Sequence, residues 1–143
     1  MPDQDTIERA REDEAEGKSP STQAGEFVRE EFHHVREGKH GARSPQQAIA
    51  IGLSKARRAG VKLGAPEGPS SIRKKAEQDL EAGHSRKKAS SKRSRAASGA
   101  LKREPKNTAS REAISRQAKK ASAQRGKKAR STAASKARTR RAA

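Results

Sequence analysis

Residues 21–63 read STQAGEFVREEFHHVREGKHGARSPQQAIAIGLSKARRAGVKL, and most of the large apolar side chains of the chain lie within them. Ala24, Val28, Phe32 and Val35 recur at spacings of four, four and three, with Phe27 on the flank. Arg29, Glu30, His33 and Glu37 take the opposite side. That period is one face of an α-helix. Ser19-Pro20-Ser21-Thr22 precedes it as a start signal and Gly38 follows as a stop. After the turn GKHGAR, Ser44-Pro45-Gln46-Gln47 has the capping-box form, with proline at the first helical position, so a second helix is predicted over 45–59, ended by Gly60. On it Ile49, Gly52, Leu53, Ala56 and Ala59 share one face, while Ser54, Lys55, Arg57 and Arg58 line the other. Gly52, lacking a side chain on the apolar face, admits the close approach of another helix. Ile51 falls among the basic residues and is expected to meet Phe27, a partner subunit or a nucleic-acid groove.

Two helices joined by a short loop make a hairpin, with Val61 and Leu63 closing its open end. Its few large apolar side chains do not offset the entropy of ordering the segment. The expectation is a homodimer through the hairpin, or order gained on binding.

Working outward, residues 1–20 hold seven acids and three bases. Asp5 or Thr6 is placed to cap a short polar helix running to Gly17. This reads as an acidic N-terminal arm, solvated or folded back on basic residues elsewhere. On the other side, residues 64–84 open with the linker APEGPSS, after which Ser70 or Ser71 caps a helix bearing Ile72, Ala76 and Leu80, with Gly83 as its stop. It is either a third helix of the module or a detached one.

Residues 85–143 are different in kind. They hold 21 of the 35 Lys and Arg and only two acids, Glu104 and Glu112, for a charge of +19, whereas residues 1–84 set 14 bases against 15 acids. The only large aliphatic residues of this stretch are Leu101 and Ile114. Like charges at i and i+4 oppose helix formation by an Ala- and Lys-rich chain in water, and phosphate removes that penalty. The fold class expected is therefore all-α: a small helical hairpin or three-helix module followed by a mostly disordered, helix-capable basic tail. Segments 86–103 and 107–125 are expected to become helical on DNA.

Such charge calls for a polyanion. There is no Tyr or Trp, and neither Phe lies after residue 85, so the tail cannot stack on unpaired bases. Asn107 and Gln117 offer helix-borne amides for base reading. Phosphate contacts are expected from Lys87, Lys88, Lys92, Arg93, Arg95, Lys119, Lys120, Lys127, Lys128, Arg140 and Arg141, with Lys55, Arg57 and Arg58 as a second patch. Phe27, Phe32 and Ile51 are the candidate anchors for a protein partner.

Other classes find little support. With no cysteine there is neither a disulfide framework nor a thiolate metal site. No HExxH, glycine-rich phosphate loop or nucleophile elbow is present, so no catalytic residue and no cofactor is expected. His33 and His34, being adjacent on a helix, point about 100° apart. His33 with Glu37, or His40 from the turn, is at best a weak metal site, and none is expected. Glu30, Glu31 and Glu37 are expected to pair with Arg29 and Arg36. No apolar run has the length of a signal peptide core or a membrane span, and a cytoplasmic, nucleoid-associated protein is expected, with no membrane partner.

The stretch EFVREEFHHVREGKHGARSPQQAIAIGLSKARRAG, with the preceding TIERAREDEAEGKSPSTQ, resembles a family of small basic bacterial and phage proteins catalogued as a domain of unknown function. The likeness covers roughly residues 5–63 and centres on QAIAI-x-LS-x-AR, here residues 47–57. What it implies is a setting, plasmid or phage maintenance, and weakly a DNA-binding role. The tail is similar in composition to those of linker histones and bacterial histone-like proteins. The functional expectation is a non-enzymatic, largely sequence-nonspecific nucleic-acid-binding protein, duplex DNA being favoured. The alternatives are an RNA- or ribosome-associated basic protein and a protein-interaction module.

Overall fold

The computed structural model describes the backbone of residues 1–85, 88 and 90–142, and the side chains of those up to residue 129. Among the described residues all regular structure is helical: α1 (Gln4–Ala15), α2 (Pro20–Arg36), α3 (Pro45–Arg58), α4 (Ser70–Ser85), α5 (Ser91–Lys102), a 3-10 turn (Asn107–Ala109) and α6 (Arg111–Ala142). The all-α class stands. The chain forms two compact units, Met1–Ala109 and Ser110–Ala143.

In the first unit α2 and α3 make the largest helix–helix contact. Each starts where its serine predicts. The Ser19 hydroxyl accepts a hydrogen bond from the Thr22 amide at 3.4 Å, and that of Ser44 from the Gln47 amide at 3.2 Å, with Pro20 and Pro45 opening the helices. Gln47 Oε1 accepts from the Arg43 amide at 2.5 Å, one residue before the cap and not at it. Gly38, at φ 73°, turns the chain out of α2. A Cβ on Gly52 would lie 2.7 Å from Val28 Cα, so the two backbones touch there. This is the close approach expected of that glycine.

The module is larger than a hairpin or a three-helix arrangement. One apolar cluster joins Ala10, Ala24, Phe27, Ala56 and Val61, with Ile7, Leu53 and Leu63 packed on it. A second joins Val35, Ala42, Ala48 and Ala109, with Phe32 against it. The N-terminal segment is therefore no solvated arm: Thr6 and Ala10 are buried against α2, and Arg9 Nε pairs with Glu26 at 2.7 Å. The burial that a bare hairpin would need from a second copy is supplied by α1 and α4 of the same chain. The N-cap of α1 is Asp3, two residues earlier than Asp5, and its side chain caps nothing because it reaches to α2 instead.

Three faces turn differently from the sequence reading. On α2, Phe27 is fully buried and Glu30 lies inside, because α1, α3 and the 3-10 turn all pack on this helix. On α3, Ala48 is buried while Ala59 is exposed. On α4, Ile72 is 52% exposed whereas Ala76 and Asp79 are buried, since the helix is held to α3 by the Asp79 carboxylate more than by its aliphatic stripe. That helix also continues through Gly83 to Ser85.

The change in composition near residue 85 is not the edge of the compact unit, which reaches Ala109. Residues 101–109 return to the turn between α2 and α3. The Gly41 amide donates to the Leu101 carbonyl at 2.8 Å and the Ala42 amide to that of Pro105 at 2.9 Å. Thr108 Oγ1 donates to the Ala42 carbonyl and Arg36 Nε to that of Ala109, each at 2.9 Å. A Cβ on Gly41 would collide with the Glu104 carbonyl, so glycine is required for this docking. Main-chain hydrogen bonds of this kind leave no mark on charge or hydropathy.

Candidate functional site

The described basic side chains after residue 85 are on the surface. Lys88 lies before α5, Lys92, Arg93 and Arg95 on α5, and Lys119, Lys120, Lys127 and Lys128 on α6; all are exposed. Lys87 lies outside the described residues, as do the side chains of Arg140 and Arg141, whose backbone belongs to α6. Over 111–142 the chain has twelve bases and one acid, Glu112. At 100° per residue Arg111, Arg116, Lys119, Lys120, Arg125, Lys127 and Lys128 are spread around the whole helix. The described backbone of this stretch is helical in α5 and α6, and no residue of α5 is buried.

The second expected patch engages acids and a carbonyl of the same unit, with Lys55 half-buried, Arg57 buried and Arg58 exposed. Lys55 Nζ lies 3.1 Å from Glu30 Oε1 and in ion-pair contact with Glu31 Oε1. Arg57 is buried, with a nitrogen donating to the Gly64 carbonyl at 3.4 Å. Arg58 Nε donates to Asp79 Oδ1 at 2.8 Å. The supposed polar face of α3 is covered by acids of α2 on one side and of α4 on the other. Lys55 and Arg57 are thereby drawn in from the surface, whereas Arg58 pairs with Asp79 and stays exposed. Among the proposed partner anchors Phe27 is sealed in the core, Phe32 is half-buried in the second cluster and Ile51 is half-buried. Only Met1 and Ile72 among the large apolar residues described are exposed.

Asp79 joins α4 to α3. Its carboxylate accepts from Ser54 Oγ at 2.6 Å, Arg58 Nε at 2.8 Å and Lys75 Nζ at 2.7 Å. Burial works to raise its pKa, but the hydrogen bonds from Lys75, Ser54 and Arg58 outweigh burial and hold it below the ordinary value.

A second polar cluster lies inside α2. Glu31 is fully buried and Glu30 nearly so, flanked by His34, by His40 from the following turn, by Asp3 and by Lys55. Glu30 Oε2 accepts from the Asp3 amide at 3.0 Å. His34 Nε2 lies 3.2 Å from Asp3 Oδ2, and that hydrogen bond lowers the Asp3 pKa. Burial alone would push Lys55 down; Glu31 and then Glu30 reverse this and its pKa is raised. The two imidazoles meet edge to face, with centroids 5.8 Å apart. The Arg29 and Arg36 pairing expected for these glutamates is not what forms: Glu30 and Glu31 face inward to Lys55 and the histidines, and Arg36 goes to a carbonyl. His33 stays on the surface, 3.6 Å from Glu37. The sequence signal that this cluster offered was weak, since its members come from the N-cap of α1, from α2, from the turn after it and from α3.

Comparison with protein-family models, with curated proteins and with solved structures gives no match to this chain. Among the described residues no helix is long and apolar enough to cross a membrane.

Proposed function

We propose that this chain is a non-enzymatic, largely sequence-nonspecific nucleic-acid-binding protein of the histone-like, nucleoid-associated type, with α5 and α6 neutralising the phosphate backbone of duplex DNA. The observation that supports it best is α6: 32 residues of helix with cations on every side and Glu112 as the single acid. A helix polar all round has no core to join. Its mutual repulsion is relieved by phosphate, and it carries no aromatic group for base stacking. Under this reading residues 1–109 form the body, within which residues 101–109 dock on the α2–α3 turn. We extend the proposal to family: residues 5–63 are placed with the small basic bacterial and phage proteins that they resemble.

Fluorescence anisotropy of the full chain and of a chain ending at residue 109, with duplex DNA and with ribosomal RNA at two salt concentrations, tests this. The full chain should bind DNA with a log–log salt slope of about −0.9 for each phosphate contacted. Equal affinity of the shortened chain would end the role of α6. Preference for ribosomal RNA at fixed salt would transfer the protein to the ribosome-associated class.

A further inference from the structure

The buried cluster on α2 has an unmet charge and an unmet geometry. Asp3, Glu30 and Glu31 bring three carboxylates to one place, and Lys55 is the one ammonium among them. Asp3 is more than half exposed and Lys39 acts on it as well, so the burden of buried charge falls on the two glutamates. Glu31 bears most of that burden: it is fully buried, and neither of its carboxylate oxygens makes a directed hydrogen bond among the described residues, although Oε1 is in contact with Lys55. Burying such a group without partners is costly.

The two imidazoles are oriented by their outer nitrogens. Nδ1 of His40 lies 3.0 Å from the Gly41 carbonyl, which only accepts, so the proton is on Nδ1 and the lone pair of the neutral ring is on Nε2. Nε2 of His34 lies 3.2 Å from the Asp3 carboxylate, so its proton is on Nε2 and its lone pair on Nδ1. Both lone pairs then face Glu31: His40 Nε2 is 3.4 Å from Oε2, and His34 Nδ1 is 4.0 Å from Oε1. The two lone pairs and the Glu31 carboxylate, whose Oε2 has no hydrogen-bond partner among the described residues, repel one another unless a cation lies between them. An imidazole whose far N–H is held by a carboxylate or a backbone carbonyl is also how metal-bound histidines are oriented.

The geometry points to a binding site for one divalent transition-metal ion of the zinc class, ligated by Glu31, His34 and His40. One ligand atom from each of the three lies within 4.8 Å of the others. Tetrahedral coordination at about 2.0 to 2.1 Å sets ligand atoms about 3.3 Å apart, a contraction within the reach of side-chain rotation. Two imidazoles and one carboxylate suit zinc, and not magnesium or calcium, which prefer oxygen alone. Asp3, Glu30 and His34 form an overlapping group. Its Glu30 already accepts from the Asp3 amide and Lys55, so Asp3 and Glu30 are the outer shell and Glu31 the ligand. His40 immediately precedes Gly41 and Ala42, whose amides hold residues 101 and 105. An ion at this site would tie α2 to the turn on which residues 101–109 dock. The site stands independently of any nucleic-acid role.

Isothermal titration of untagged, metal-free full chain with Zn2+ tests it, with Co2+ absorption reporting the coordination. One equivalent should bind saturably and raise the thermal midpoint. Glu31→Gln and His40→Ala should each weaken binding by about 100-fold, at the upper end of what outer-shell changes alone cost. His33→Ala and His84→Ala should leave it within about twofold. Absence of saturable binding overturns the site. Binding that survives Glu31→Gln and His40→Ala but is lost with His33→Ala also overturns it. His40 lies at the turn, so if circular dichroism shows Glu31→Gln to be unfolded, His40→Ala decides.

Discussion

Lys55 on α3 and Lys119 on α6 are the same side chain on the same kind of element, and their circumstances are opposite. Lys55 is wedged between Glu30 and Glu31 of a neighbouring helix, and its charge is needed to hold that helix's acids inside. Lys119 is exposed on a helix whose single acid lies seven residues away. Helices α2 to α4 therefore set basic side chains such as Lys55 and Arg58 against acids in their own packing, whereas α5 and α6 keep their described basic side chains on the surface. Abundance of lysine and arginine does not by itself make a binding surface. What matters is whether the fold supplies carboxylates to meet them.

The contrast can be broken in order of size. Under the proposed function, the intact chain should lose roughly three orders of magnitude in affinity for duplex DNA between low and moderate salt, as for six or more phosphate contacts. Replacing Lys119, Lys120, Lys127 and Lys128 together by glutamine should flatten that dependence by about four contacts, whereas Lys55→Met should leave the slope unaltered. Parallel salt titrations by anisotropy check both. In stability the order reverses. Lys55→Met strands two buried carboxylates and should cost about 3 kcal/mol in chemical denaturation, against within about 0.5 kcal/mol for Lys119→Met.

Acid gives a third test. Asp79 has a lowered pKa in the folded protein, so its contribution is complete above the unfolded carboxylate value of about 3.9 and is lost as pH falls through the lowered value. That contribution should disappear on the descent, and Asp79→Asn should forfeit it already at neutral pH, as seen by thermal melting across a pH series. The smallest effect belongs to α6. Arg116 and Lys120 are four apart and repel. Arg116→Glu converts this to a favourable pair and should add helix by far-ultraviolet circular dichroism, with a gain of about 0.2 to 0.5 kcal/mol for the pair.

The caps were legible. Ser19-Pro20 and Ser44-Pro45 predict starts that the structure keeps, because capping depends on residues within three positions of one another. Gly52 was legible too, as a missing side chain on an apolar face. Glu30 was misplaced because the sequence offers no sign that α1 will cover that side of α2. Phe27 was set on the flank for the same reason: a helix with neighbours on three sides has no single stripe. The cluster of Glu31, His34 and His40 escaped because its members meet only once the turn after α2 folds back.

By itself, then, the sequence determined the helical class, the starts of α2 and α3 and the concentration of positive charge after residue 85. These rest on local chemistry: caps, spacing and charge density act within a few residues. Tertiary structure alone decided which charges are free. It turned Lys55 and Arg57 inward, paired Arg58 with Asp79, carried the compact unit on to Ala109 and gathered the carboxylates and imidazoles around Glu31. A charge buried in a fold must find its counter-charge across space, and no spacing along the chain specifies that partner.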